Sequence, residues 1–263
     1  MSQNVIIDEK DTSREKTVYF KSQAKTIAKN CKRKNINFYE TENKESARIL
    51  VSELVKKFKN KKGITQLGYA DSVSLHQIEI FKEIEEIPDL NINNPLKRWP
   101  DGKYEVFGSQ PPGKLNLPKD EYYGLMGKLW DKMRESLLTD IYITGANALS
   151  IEGHIVSIDG TGNRVSAMAF GPSKIIIVVG RNKITKDLQS AINRIFDVAA
   201  PLTYLRHNEK HHNRHFNPCM NEGWCPDCKS DRRGCLNLVI INGAMEINKN
   251  RIHLVLINED LGY

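Results

Sequence analysis

Apolar positions recur along this chain with two periods, and the period changes several times. Ala24, Ile27 and Ala28 stand at helical spacing between Val18 and Asn30, and Cys31 continues the stripe as a core thiol. Ala47, Leu50, Val51, Leu54, Val55 and Phe58 predict a second amphipathic helix, starting near Thr41–Glu45 and ending at Gly63. Ile64 to Tyr69 is patterned as a strand. Asp71 or Ser72 then caps a predicted helix through Leu75, Ile78, Phe81 and Ile84. Pro88 to Pro118 is irregular and proline-rich, with Trp99, Tyr104 and Phe107 interspersed, and reads as a lid or partner surface. Tyr122, Leu125, Met126, Leu129, Trp130, Met133, Leu137 and Leu138 predict a helix with a core-facing stripe. Ile141–Thr144 reads as a strand, and Ile151–Ile158, with Gly153 inside it, as a hairpin. The continuous β-branched run Lys174–Gly180 suits a strand buried on both faces. A helix capped by Thr185 carries Leu188, Ala191, Ile192, Ile195 and Phe196 until Pro201 stops it, and Arg251–Ile257 forms the last strand. Strands alternate with helices, so the expected class is α/β.

The chain has 263 residues, 40% of them apolar, enough for one α/β domain with helical additions. We expect residues 1–62 to form a helical region packed on a core domain of residues 63–263. No apolar run is long enough to span a bilayer and the N-terminus has no signal-like segment, which predicts a soluble cytoplasmic protein. The net charge is +7 and is concentrated early: residues 14–62 hold fifteen Lys and Arg against five Asp and Glu. No nucleic-acid-binding motif accompanies this charge, so nucleic acid is not the expected partner. Solvated outer helix faces, a small anionic metabolite or an acidic partner subunit account for it.

Two stretches carry candidate chemistry. In Asp159-Gly160-Thr161-Gly162-Asn163-Arg164, the glycines Gly160 and Gly162 can bring backbone N–H groups close to a phosphate or carboxylate. Arg164 adds a planar fork, and Asn147 and Asn163 can donate or accept. Asp159 is either a base or an ordinary turn residue. The second stretch holds Cys219, Cys225, Cys228 and Cys235 at spacings C-x5-C-x2-C-x6-C. Four thiolates are a full set for tetrahedral zinc or a [4Fe–4S] cluster. Trp224 is a candidate shield for such a centre, and Arg232 and Arg233 candidate counter-charges. His207, His211, His212 and His215 lie just upstream, as further ligands or as a solvated loop. Glu259, after the last strand, falls where α/β sites gather and is the carboxylate candidate for acid–base or nucleophilic work.

TGANAL from Thr144, IDGTGNRV from Ile158, FGPSKIIIVVGRNKI from Phe170, AAPL at Ala199, the cysteine cluster and INEDLGY at the C-terminus together resemble the LUD family, the domain associated with lactate utilisation. That resemblance implies a Rossmann-like sheet similar to the sugar-phosphate isomerases and CoA transferases. It also implies work in or beside hydroxy-acid oxidation with an iron–sulfur or oxidoreductase partner, which favours an iron–sulfur centre over zinc. Two alternatives remain: an isomerase or acyl-transfer enzyme with structural zinc and a sugar phosphate or CoA on the glycine loop, and a non-catalytic scaffold or regulatory subunit.

Overall fold

The computed structural model describes residues 9–59, 63–210, 217–230 and 233–263. Helix α1 (Ser13–Arg33) buries Phe20, Ala24, Ile27 and Cys31, the predicted stripe. Burial pushes the Cys31 thiol up to about 12, so it is inert core. Strand β1 (Asn37–Thr41) follows. Helix α2 (Lys44–Phe58) starts at Asn43, whose side chain accepts from Ser46 N at 2.8 Å, while Asn43 N donates to the Ser46 hydroxyl at 3.2 Å. This reciprocal cap satisfies two first-turn N–H groups.

Strand β2 (Thr65–Tyr69) leads into α3 (Val73–Gln77) and α4 (Ile80–Glu85). One helix is expected here, but Glu79 adopts φ 55° and splits it. The irregular proline-rich stretch contains a short strand, β3 (Leu90–Asn93), and precedes α5 (Lys119–Glu135). The expected core stripe of α5 is only partly buried: Leu129 is covered, whereas Trp130 is exposed, as is Leu138 beyond the helix end.

Strand β4 (Ile141–Gly145) is wholly buried. The hairpin of β5 (Ala148–Ser150) and β6 (Ile155–Asp159) turns through Gly153 at φ 84°. Then come α6 (Asn163–Ala169), β7 (Lys174–Gly180) and β8 (Ile184–Thr185). Asp187, not Thr185, caps α7 (Leu188–Arg194), its carboxylate accepting from Ser190 N at 2.7 Å. A π-helical turn at Ile195–Ala199 joins it to α8 (Ala200–Lys210). The helical run therefore continues through Pro201 rather than stopping there. The chain closes with α9 (Cys219–Glu222), β9 (Asn237–Ile241) and β10 (Ile252–Ile257).

Six strands form one parallel sheet in the order β1-β10-β7-β4-β2-β3. Alternate residues feed the two sides. Ile175, Ile177, Leu254 and Leu256 pack with α1, while Ile176, Val178, Val255 and Ile257 pack with α2 to α4. A period of two along buried strands produces this division. The smaller sheet, β8-β5-β6-β9, adds Leu149, Ile155 and Ile241 to the α1 side and packs Ala148, Val156 and Ile158 against α7. The architecture is the expected Rossmann-like α/β class. The N-terminal region is less separate than expected, because β1 is hydrogen-bonded into the main sheet beside β10.

Candidate functional site

The glycine loop spends several of its side-chain polar atoms on itself. Asn147 Oδ1 accepts from Ile158 N at 2.9 Å. Asp159 accepts from Gly160 N at 2.8 Å and from Arg164 N at 3.0 Å, closing the turn into α6. Thr161 donates its hydroxyl to Asn163 Oδ1 at 2.7 Å, and Gly162 turns the chain at φ 88°. The Arg164 guanidinium folds back onto the Ile158 carbonyl, and its buried Nε has no hydrogen-bond partner but lies 3.9 Å from the Asp159 carboxylate. Asp159 thus holds a turn, and of the loop's glycines Gly160 has its N–H bonded within it.

The loop lies against the cysteine segment. A Cβ at Gly160 would meet the Gly234 carbonyl oxygen at 3.3 Å, and Asn237 Nδ2 donates to the Gly160 carbonyl at 2.7 Å. All five cysteines are free thiols. Cys219, at the start of α9, is buried, and Cys225, Cys228 and Cys235 are half-buried. Burial, then repulsion from Cys228, Cys225 and Cys235, pushes the Cys219 thiol up to about 11. Burial also raises Cys235, with Cys225 and Cys228 adding to it. The neighbouring cysteines therefore act on Cys219 and Cys235, disfavouring their thiolates. Tyr204, from α8, is their neighbour; burial chiefly, and then Cys235, Cys219 and Cys228, raise its phenol, whose oxygen is buried without a side-chain partner. Among the described residues no three His, Cys, Asp or Glu side chains stand together as a ready ligand set. Trp224 is exposed and does not shield the cluster, while Arg233 donates to the Cys228 carbonyl at 3.0 Å. His211, His212, His215 and Arg232 lie outside the described residues.

Glu259 does stand at the C-terminal edge of the large sheet, after β10. Its carboxylate accepts from Lys44 N at 3.1 Å, in the first turn of α2, and its carbonyl accepts from Arg181 N at 3.0 Å. Those bonds give it a capping role.

The residue that sequence reasoning overlooked at this edge is Lys183. It follows β7 within Gly180-Arg181-Asn182-Lys183 and is 3% exposed. Its ammonium or amine nitrogen donates to Ser74 Oγ and to the Ala146 carbonyl, both at 3.0 Å. Burial, then Arg194 and Arg164, lower its pKa to about 7. Among the described residues no carboxylate forms an ion pair with it. The available signal was its place: a basic residue three positions beyond the most apolar strand of the chain, where α/β folds open onto ligands.

No curated protein matches the chain. Among solved structures, a DUF162-family protein of Deinococcus radiodurans is similar, with 10% identity, 94% of this chain and 99% of that chain covered, and a TM-score of 0.38. The LUD domain profile matches residues 24–257, from within α1 to the end of β10. The match takes in the large sheet, the glycine loop and all four clustered cysteines, and on that extent the protein belongs to the LUD-domain family.

Proposed function

We propose that this LUD-domain protein serves the oxidation of lactate or a related hydroxy acid, and that Cys219, Cys225, Cys228 and Cys235 hold a metal centre, iron–sulfur rather than zinc. The observation that carries the reading is that four free thiols fall within one short segment, at spacings C-x5-C-x2-C-x6-C, beside the buried phenol of Tyr204. Four thiolates cannot all ionise side by side in a half-buried setting unless a cation neutralises them. An all-sulfur donor set selects zinc or an iron–sulfur cluster over the hard cations. An iron–sulfur centre would supply one-electron transfer, which matches a family linked to lactate utilisation. Free thiols suit a reducing cytoplasm. The lysine-rich faces of α1 and α2 would meet an anionic metabolite or an acidic partner subunit that takes the electrons.

The test is purification without oxygen, followed by a visible spectrum and metal analysis. A brown protein carrying about four irons per chain, the content of one cubane cluster, supports the reading. A colourless protein with one tightly held zinc would make the cysteines structural and favour the isomerase or acyl-transfer alternative. A chain that binds neither metal overturns the metal centre altogether.

A further inference from the structure

The large sheet has one point where the direction of its connections reverses. From β2 the chain steps outward to β3; from β4 it steps the other way, to β7 and then β10. In open α/β sheets the crevice between two such strands, at their C-terminal ends, is where ligands sit. Ser74 follows β2 and Ala146 follows β4, and Lys183 Nζ bridges the two. The amine thus occupies the crossover itself.

Two N–H groups of Lys183 are spent on Ser74 and Ala146. In the neutral form its lone pair is left over, and in the charged form a third N–H. The charged groups that act on it, Arg194 and Arg164, are both cationic. Arg194 is held there by the Asn182 and Asn147 carbonyls, at 3.2 and 2.6 Å. A site with positive charge, no paired carboxylate and a nucleophilic nitrogen suits a small anion bearing a carbonyl.

A cover closes this crevice. The segment after β10 passes over Lys183, and Gly262, at φ +62°, comes so near that a Cβ there would stand 2.8 Å from Lys183 Nζ and 2.7 Å from Ser74 Oγ. Asn182 clasps the segment, accepting from Leu261 N at 3.0 Å and donating to the Gly262 carbonyl at 3.1 Å. Gln77 accepts from Gly262 N at 2.7 Å. Outside the clasp lies an open cleft of about 450 Å³ between α1 and the Arg181–Ile184 turn, walled by Asn182 and Asp260 but not by Lys183, so a small metabolite in it reaches the amine only when the clasp opens.

We propose that Lys183 is the ligand-contacting amine of a second site, at the β2–β4 crossover, that takes a small 2-oxo carboxylate and holds it as an imine beneath the C-terminal strap. The nitrogen lone pair attacks the carbonyl carbon. The carbonyl oxygen leaves as water with the two amine hydrogens, so no oxidant or reductant is needed. The site is independent of the cysteine centre, and the two readings can fail separately.

The experiment uses the intact chain with pyruvate and cyanoborohydride near neutral pH, followed by peptide mass spectrometry. Hydride reduces any imine to a stable carboxyethyl-lysine. Labelling at Lys183 is expected to outrun that at exposed lysines away from the cleft, such as Lys186, by about tenfold, because an amine with a depressed pKa is the better nucleophile near neutral pH. Acetone, a carbonyl without the carboxylate, should label Lys183 far less. Asn182→Ala, which removes the clasp, should speed labelling by pyruvate several-fold. If Lys183 stays unlabelled in both the native chain and Asn182→Ala while surface lysines react, the site does not exist. Equal labelling by acetone and pyruvate would overturn the anion requirement.

Discussion

His253 shows how a single side chain couples this fold to pH. It sits in β10, with Nε2 against the Asn250 carbonyl at 3.0 Å, Nδ1 against Tyr39 Oη at 3.1 Å and the Phe58 ring on its face. Burial lowers its pKa to about 4. The unfolded chain therefore binds the proton first, and stability is lost as pH falls from about 6.5 towards 4, by up to about 3 kcal/mol. Lys183 has the same sign in another window: its folded pKa of about 7 lies below its ordinary 10.5, so stability climbs as pH rises between those values. Urea midpoints measured across pH should fall below pH 6.5, and His253→Gln should flatten that acid limb alone. Gly180 gives a steric case. A Cβ there would stand 2.6 Å from Leu261 N and 2.8 Å from the Glu259 carbonyl oxygen, which are backbone atoms that cannot swing aside. Gly180→Ala should cost about 1–3 kcal/mol by forcing the strap off the sheet, read as a lower Tm and earlier proteolysis near the C-terminus.

At the scale of elements, caps and breaks separated what the apolar pattern could and could not show. Helix α2 was legible because its stripe and its cap agree. Asn43→Ala should remove the reciprocal bonds with Ser46 and lower stability by about 1 kcal/mol, seen as a shifted urea midpoint with unchanged slope. The run from Leu75 to Ile84 kept helical period straight through Glu79, so periodicity could not reveal the left-handed break there. Strand β3 was lost among prolines because four residues are too few for a pattern. Helix α5 had the right period, yet its stripe is only partly covered, since period reports which residues share a face and not whether another element arrives to bury it.

At the scale of the molecule, the proposed metal centre would fall in the segment with the least regular structure. Among its described residues the cysteine segment has no regular structure between Asn217 and Leu236 apart from α9, and it is pinned by Tyr204, the Gly160 contact and β9. On the proposed centre, Cys219→Ser should remove most of the metal that the native chain takes up and lower the Tm of the metallated chain, while leaving a chelator-treated sample nearly unchanged. Metal analysis with paired melting curves checks both halves of that expectation.

The amino-acid sequence by itself determined the α/β class, most helices, the buried central strand and the family, because each rests on local patterns: a period of two or 3.6, a cap, or a string of motifs in order. It also marked the cysteines, whose spacing is a local property. It could not show that the carboxylate of Asp159 closes its own turn, or that Asn147 Oδ1 is taken by Ile158 N eleven residues away. Nor could it place Lys183 between Ser74 and Ala146, residues 109 and 37 positions away, under a strap from the C-terminus. Those facts belong to the tertiary structure, because the strand order decides which loops meet at one edge, and burial there decides which charged group loses its water.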